Sequence, residues 1–203
     1  VTGSVAICKA PELVRMWAGA GVSVSATLTK AAREFITPLT FQALGAAPVY
    51  TEMFSGKEGG TDGGEDVLFG HLGPGQRDEA FVVAPATANM LGKLANGLAD
   101  DMLSCQALAY PGPLVIAPAM NPRLWSAQAT QENCDTLRRR GHLVLDPEEG
   151  LFACGEEGKG RLPCPELIYL HGLRELAPQD MEGQKVLVTL GPTREYWDPI
   201  RFW

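Results

Sequence analysis

Four short turns of small and hydroxyl-bearing residues carry groups suited to holding an anion. They are Thr2-Gly3-Ser4, Thr29, Pro85-Ala86-Thr87-Ala88-Asn89 and Pro118-Ala119-Met120-Asn121. The start of a helix offers backbone N–H groups that no intrahelical carbonyl can reach, and such groups suit phosphates. One turn of this kind is ordinary tight packing; four at successive strand ends are less easily dismissed, and a mononucleotide phosphate fits them better than a dinucleotide. Three other readings concern proton and carboxylate chemistry. On residue type alone, His71 fits a surface histidine beside a glycine-rich loop as well as a proton carrier. Cys154 fits an inert loop thiol as well as an acid, and Asn121 before Pro122 fits a turn residue as well as a ligand contact. Lys93, Asp100 and Asp101 read as a solvated helix face and its end, and His142 and His171 as structural.

The elements that must position these turns follow from short apolar runs at residues 22–28, 80–84, 114–117, 143–145 and 185–189. Rich in Val and Leu and separated by helical stretches, they predict buried parallel strands. The expected fold is α/β, a Rossmann-like (flavodoxin-like) parallel sheet with helices on both faces, whose ligands gather at the carboxyl ends of the strands. Residues 1–4 read as a strand end entering a glycine turn, and residues 11–18 as the first turns of a helix; the pattern expects the rest of that strand ahead of Val1. Residues 55–64 and 147–165 read as glycine-bearing loops. A nicotinamide dinucleotide is disfavoured, because the first turn lacks G-x-G-x-x-G and the second strand ends in Thr29 rather than an acidic residue.

Bulk properties narrow the class further. The chain has 203 residues, 45% hydrophobic and 20% charged, with a formal charge of -7, which fits one domain and a short appendage. No apolar run approaches the roughly 20 residues of a membrane span, and no signal-type segment opens the chain. A cytoplasmic protein with no membrane partner is expected. The acidic balance, relieved only at Arg138-Arg139-Arg140, also speaks against nucleic acid. The five cysteines are irregularly spaced with no CxxC pair, so neither disulfides nor a metal site is expected.

The segments VTGSVAICK, TKAAREFITPLTFQAL, APATANMLGKLANGLADDMLS, APAMNPRLW and ACGEEGKGRLP occur in this order. With them the chain closely resembles the phosphopantothenoylcysteine decarboxylases of the homo-oligomeric flavin-containing cysteine decarboxylase family. The resemblance implies an FMN-dependent decarboxylase domain over residues 1–177 and a linker over 178–184. Residues 185–203 resemble the start of a phosphopantothenate–cysteine ligase domain, here truncated, of the bacterial bifunctional enzymes. It further implies FMN contacts at Gly3, Ser4, Thr29, Ala86, Thr87, Ala88 and Asn89. His71, Asn121 and Cys154 match the catalytic positions; Met120, Asn121 and Arg161 are expected to bind substrate. Leu124 replaces a family methionine. Where the family continues as a helix after its histidine, this chain has Gly73-Pro74-Gly75, poor helix-interior residues.

The implied reaction converts 4'-phospho-N-pantothenoylcysteine to 4'-phosphopantetheine in coenzyme A biosynthesis. Loss of carbon dioxide from a cysteine amide lacks an electron sink; oxidation to a thioaldehyde supplies one, and the flavin later returns the hydride. Asn121 would orient the carboxylate, His71 would assist the thiol or hold substrate, and Cys154 would donate a late proton. The resemblance also implies a homo-oligomer, a trimer or a dodecamer of trimers, with flavin between subunits. Rival readings are a peptidyl-cysteine decarboxylase, a flavin prenyltransferase, and a flavin-binding regulatory subunit. The last would favour long acidic tails, which this sequence lacks.

Overall fold

The computed structural model describes residues 1–53, 79–152, 155–178, 180–181 and 183–188. A 3-10 helix at Val5–Lys9 leads into α1 (Ala10–Gly19), β1 (Val24–Thr27), α2 (Lys30–Arg33), α3 (Pro38–Ala43) and β2 (Ala46–Tyr50). The chain then forms β3 (Phe81–Ala86), α4 (Ala88–Asn96), α5 (Met102–Ala109), β4 (Leu114–Pro118), α6 (Pro122–Ser126) and α7 (Gln128–Arg139). It ends with β5 (Leu143–Val144), the hairpin β6 (Glu148–Leu151) and β7 (Glu157–Arg161), and α8 (Pro165–Leu176).

β4 is buried at every position, which requires cover on both faces of its sheet. It pairs in parallel with β3 and β5. Because successive side chains point to opposite faces, Val83 and Ile116 enter one core with Met90, Leu91, Leu103 and Leu137 of α4, α5 and α7. Ala84, Val115 and Ala117 enter another with Leu13 of α1 and Ile168 of α8. The sheet is therefore flavodoxin-like, with helices on both faces.

A second parallel pair, β1 and β2, packs a smaller core around Phe41, Leu28 and Val14. The sequence reading missed β2 because Pro48 interrupts it; Pro is tolerated there because β2 lies at the edge, with β1 as its partner. Val1 and Thr2 join the two sheets as a strand end would. The Val1 carbonyl accepts from the Thr29 N–H (3.1 Å), and the Thr2 N–H donates to the Pro85 carbonyl (3.3 Å). Beneath them a cavity lined by Leu13, Trp17, Val24, Ser25, Thr27 and Val82 lies between β1 and β3.

Two expectations change. The segment expected as a loop over 147–165 contains the antiparallel hairpin β6–β7. The strand expected at 185–189 does not form over residues 185–188: a strand needs a ladder partner, and Leu187 is instead 89% exposed. Among the described residues no helix is long and apolar enough to cross a membrane.

Candidate functional site

Among the described residues, the candidates at the strand ends meet along one hydrogen-bonded edge at the carboxyl ends of the strands. It begins at α2, where Thr29 caps the helix through its hydroxyl and its N–H reaches Val1. Thr2 continues it: its buried hydroxyl donates to the Pro85 carbonyl (2.8 Å) and accepts from the Thr87 N–H (3.1 Å). Beyond β3, the Ala119 N–H donates to the Ala86 carbonyl (3.0 Å), and the Met120 N–H donates to Gly160 of β7 (2.9 Å). Gly3, Ser4, Thr29, Thr87 and Asn121, scattered through the sequence, thus share one rim.

Local sequence explains each position. Gly3 lies so close to α2 that an added Cβ would sit 2.6 Å from the Ala31 Cβ and 2.8 Å from its backbone. Ser4 caps the 3-10 helix through its hydroxyl, which accepts from Ala6. Thr87 caps α4 by accepting from the Met90 N–H (3.4 Å), which leaves the Ala88 and Asn89 N–H groups beyond the reach of any intrahelical carbonyl. Ala86 is buried, Thr87 and Ala88 are half-buried and Asn89 is exposed, so this helix start opens onto solvent. The donor set of hydroxyls and helix-start amides fits a phosphate, with no need of a lysine or arginine.

Behind this helix start, Lys93 is no solvated residue. Its side chain is 15% exposed and pairs with Asp100 and Asp101, each at 2.6 Å. Burial pulls its pKa down, but the two carboxylates more than offset this and hold the ammonium above its ordinary range. Asp101 is raised by burial, yet Lys93 and the Ser104 N–H hold its carboxyl below the usual range. The same carboxylate caps α5, which ties α4 to α5.

Asn121 caps α6: its Oδ1 accepts from the Arg123 N–H (2.9 Å) and its Nδ2 donates to Glu156 (2.6 Å). Trp125, 7% exposed, anchors that short helix in the main core. Leu124 is 53% exposed, so its replacement of methionine leaves the core untouched. Met120 is packed in the core with 8% exposure and reaches the rim through its backbone. Arg161 is exposed, with its guanidinium over Gly150 of β6. His71, Cys154 and Gly73-Pro74-Gly75 lie outside the described residues. Sequence reasoning missed the role of Thr2 as an internal tie rather than an open hydroxyl. It also missed Arg123 and Glu156, which resemble any solvated charges until β7 is docked beside α6.

Residues 1–170 match the family model described as Flavoprotein. The chain belongs to the flavoprotein family. Residues 181–203 match a second model, the DNA/pantothenate metabolism flavoprotein C-terminal domain. The chain is 40% identical to the Coenzyme A biosynthesis bifunctional protein CoaBC of Bacillus subtilis over its whole length, covering 49% of that protein. It is 37% identical to the same-named protein of Escherichia coli, covering 48%. It thus spans about half the length of these relatives. Among solved flavoprotein structures, the FMN-dependent cysteine decarboxylase SpaF is 32% identical with a TM-score of 0.68, over 87% of this chain and 94% of that one. A cysteine-to-serine mutant of PPC decarboxylase, complexed with pantothenoylaminoethenethiol, is 29% identical with a TM-score of 0.70, over 86% and 93%.

Proposed function

We propose that this chain carries out the FMN-dependent decarboxylation of 4'-phospho-N-pantothenoylcysteine to 4'-phosphopantetheine, a carboxy-lyase step of coenzyme A biosynthesis. The observation that carries the reading is the single rim, which sets the helix-start donors of Thr87-Ala88-Asn89 and the Gly3-Ser4 turn in line with Asn121. FMN, when bound, supplies the reversible two-electron oxidation that gives the departing carboxylate an electron sink.

Gly3, Ser4, Thr29, Ala86, Thr87, Ala88 and Asn89 hold that cofactor in this reading. Asn121 orients the substrate carboxylate, Met120 shapes the floor through its backbone, and Arg161 binds substrate from β7. His71 assists thiol deprotonation or holds substrate, and Cys154 delivers a late proton to carbon. The domain assignment runs 1–177 for the decarboxylase, 178–184 for a linker and 185–203 for the start of a ligase domain. A homo-oligomer, a trimer or a dodecamer of trimers, would let His71 act in a neighbour's site. Exposed Val5 (65%) and Phe35 (56%), beside the Ser4 turn and α2, are apolar surface that a second copy would cover. A cytoplasmic setting suits its free cysteines.

One second reading, decarboxylation of a peptide's C-terminal cysteine, is equally compatible with the likeness to SpaF, an FMN-dependent cysteine decarboxylase. Purified chain loaded with FMN is offered phosphopantothenoylcysteine and, separately, a peptide ending in cysteine, and products are weighed by mass spectrometry. The expected product is phosphopantetheine, from the small substrate alone. Turnover of the peptide alone would favour the second reading, and failure to take up FMN would remove both. Cys154→Ser should release carbon dioxide yet yield a product lighter by one H2, because the last protonation is lost.

A further inference from the structure

Asn121 and Arg123 together grip a carboxylate that belongs to the protein itself. Capping fixes the Asn121 amide: with Oδ1 held by the Arg123 N–H, Nδ2 must face outward, where it donates to one oxygen of Glu156 at 2.6 Å. The other Glu156 oxygen lies 2.5 Å from the Arg123 guanidinium. An amide and a guanidinium on the two oxygens of one carboxylate form a recognition pattern for that group. Glu156 is delivered by the turn between β6 and β7, where its carbonyl accepts from the Phe152 N–H (2.8 Å). The hairpin is seated against α6 because Gly160 packs on the Met120 carbonyl so closely that a Cβ there would collide with it. Glu156 therefore reaches Asn121 from a fixed base.

We infer that Asn121 and Arg123 form a substrate-carboxylate subsite that Glu156 fills as an internal placeholder, so that Arg123 is a second substrate contact and Glu156 competes with the substrate's carboxylate. The inference rests on the proposed function for the identity of that substrate and for the role of Asn121 toward its carboxylate; the part of Arg123 and Glu156 goes beyond it. The carboxylate of a cysteine amide presents the same two oxygens as Glu156, and both cannot occupy one amide and one guanidinium. The displaced Glu156 has an easy exit, since its side chain is 32% exposed and that of Arg123 is 84% exposed. Product has lost the carboxylate, so Glu156 returns to the subsite after turnover and opposes rebinding of nothing but carboxylate ligands.

The test uses the full chain loaded with FMN. Glu156→Gln should lower the KM for phosphopantothenoylcysteine by about two- to fivefold, the range of a partly exposed ion pair, and leave the dissociation constant of phosphopantetheine unchanged. Arg123→Leu should raise that KM by a similar factor, again without effect on the product. Equal shifts for both ligands would reduce Glu156 to a structural tie and overturn the inference. A second arm needs no turnover. Phenylglyoxal labelling of Arg123, followed by peptide mass, should run several-fold faster in Glu156→Gln than in the parent. N-acetylcysteine at millimolar concentration should slow it, whereas N-acetylcysteamine, which lacks the carboxylate, should not. Equal labelling of parent and variant, or equal protection by both thiols, overturns the subsite even if the decarboxylation itself is established. Selective protection with no turnover of phosphopantothenoylcysteine would instead uphold the subsite and sink the proposed substrate.

Discussion

At Thr2 and at Glu156 the same arithmetic is met in opposite surroundings. Thr2 is 2% exposed, and its hydroxyl spends both its directions on backbone groups of β3 and of the Thr87 cap of α4. Glu156 spends both its oxygens on side chains, in a place open to water. Leaving a buried backbone group unsatisfied costs about 1–3 kcal/mol, whereas an exposed ion pair contributes about 0–1 kcal/mol. The rim that would hold a resident cofactor is thus fastened by contacts that are costly to break. The Glu156 side chain, facing a ligand that must enter and leave at each turnover, is fastened by contacts that exchange easily.

The contrast breaks most severely at Gly3. Gly3→Val places atoms where Ala31 backbone lies 2.8 Å away, and overpacking of this kind costs about 1–3 kcal/mol or more. Expected is a colourless protein with a lowered thermal midpoint; a variant that binds FMN like the parent would show that the turn is not part of the cradle. Thr2→Val is nearly isosteric and isolates the hydroxyl. It strands the Thr87 N–H, so denaturant unfolding should report a loss of about 1–3 kcal/mol with FMN affinity weakened in step. An unchanged stability would mean that the rim is no stiffer than the hairpin.

Asn121→Asp probes the other side. Aspartate keeps the helix cap, because its carboxylate can still accept from the Arg123 N–H. It also sets a negative charge against Glu156 and against an incoming carboxylate. Turnover of phosphopantothenoylcysteine should fall at least about tenfold, roughly 1.4 kcal/mol, while FMN content and thermal midpoint stay near the parent's. If FMN is lost together with activity, the two regions are one cooperative unit and the contrast fails.

How far the sequence discloses these regions follows the same division. β3 and β4 are legible as apolar runs because both their faces are covered, and Thr29 and Thr87 are legible as caps because capping is local. The Thr2 tie is not local: its carbonyl partner lies 83 residues away, and nothing in a Val-Thr-Gly stretch points to Pro85. The hairpin is masked by its own composition, since Gly150, Gly158 and Gly160, needed at positive φ, read as loop punctuation. Glu156 and Arg123 look like solvated charges until pairing of β6 with β7 and the seat of Gly160 on Met120 bring them together. Lys93 deceived for a related reason, because the two carboxylates that pair with it follow only after the α4 C-cap.

The smallest effect is expected at the far end of the sheet, and it serves as a control on both regions. His142 precedes β5, and its Nδ1 accepts from the Leu114 N–H at the start of β4 (3.2 Å), away from the strand ends that form the rim. Burial lowers its pKa, and the neighbouring Arg140 lowers it further. A folded-state pKa below the unfolded value near 6.5 means that the unfolded chain takes up the proton first. The stability linked to this histidine is therefore fully present above about pH 6.5 and is lost as pH falls through that value towards the folded-state pKa. Protonation also removes the Nδ1 lone pair that receives the Leu114 N–H. His142→Asn keeps an acceptor near that position and cannot titrate. Thermal unfolding compared between about pH 7.5 and 5.5 should show a smaller acid-induced drop in this variant than in the parent. FMN content and the KM for phosphopantothenoylcysteine should change equally with pH in both proteins, because His142 touches neither the rim nor the hairpin. If the KM profiles separate instead, the far end of the sheet is coupled to the site, and the rim is not the independent fastening that its buried hydrogen bonds imply.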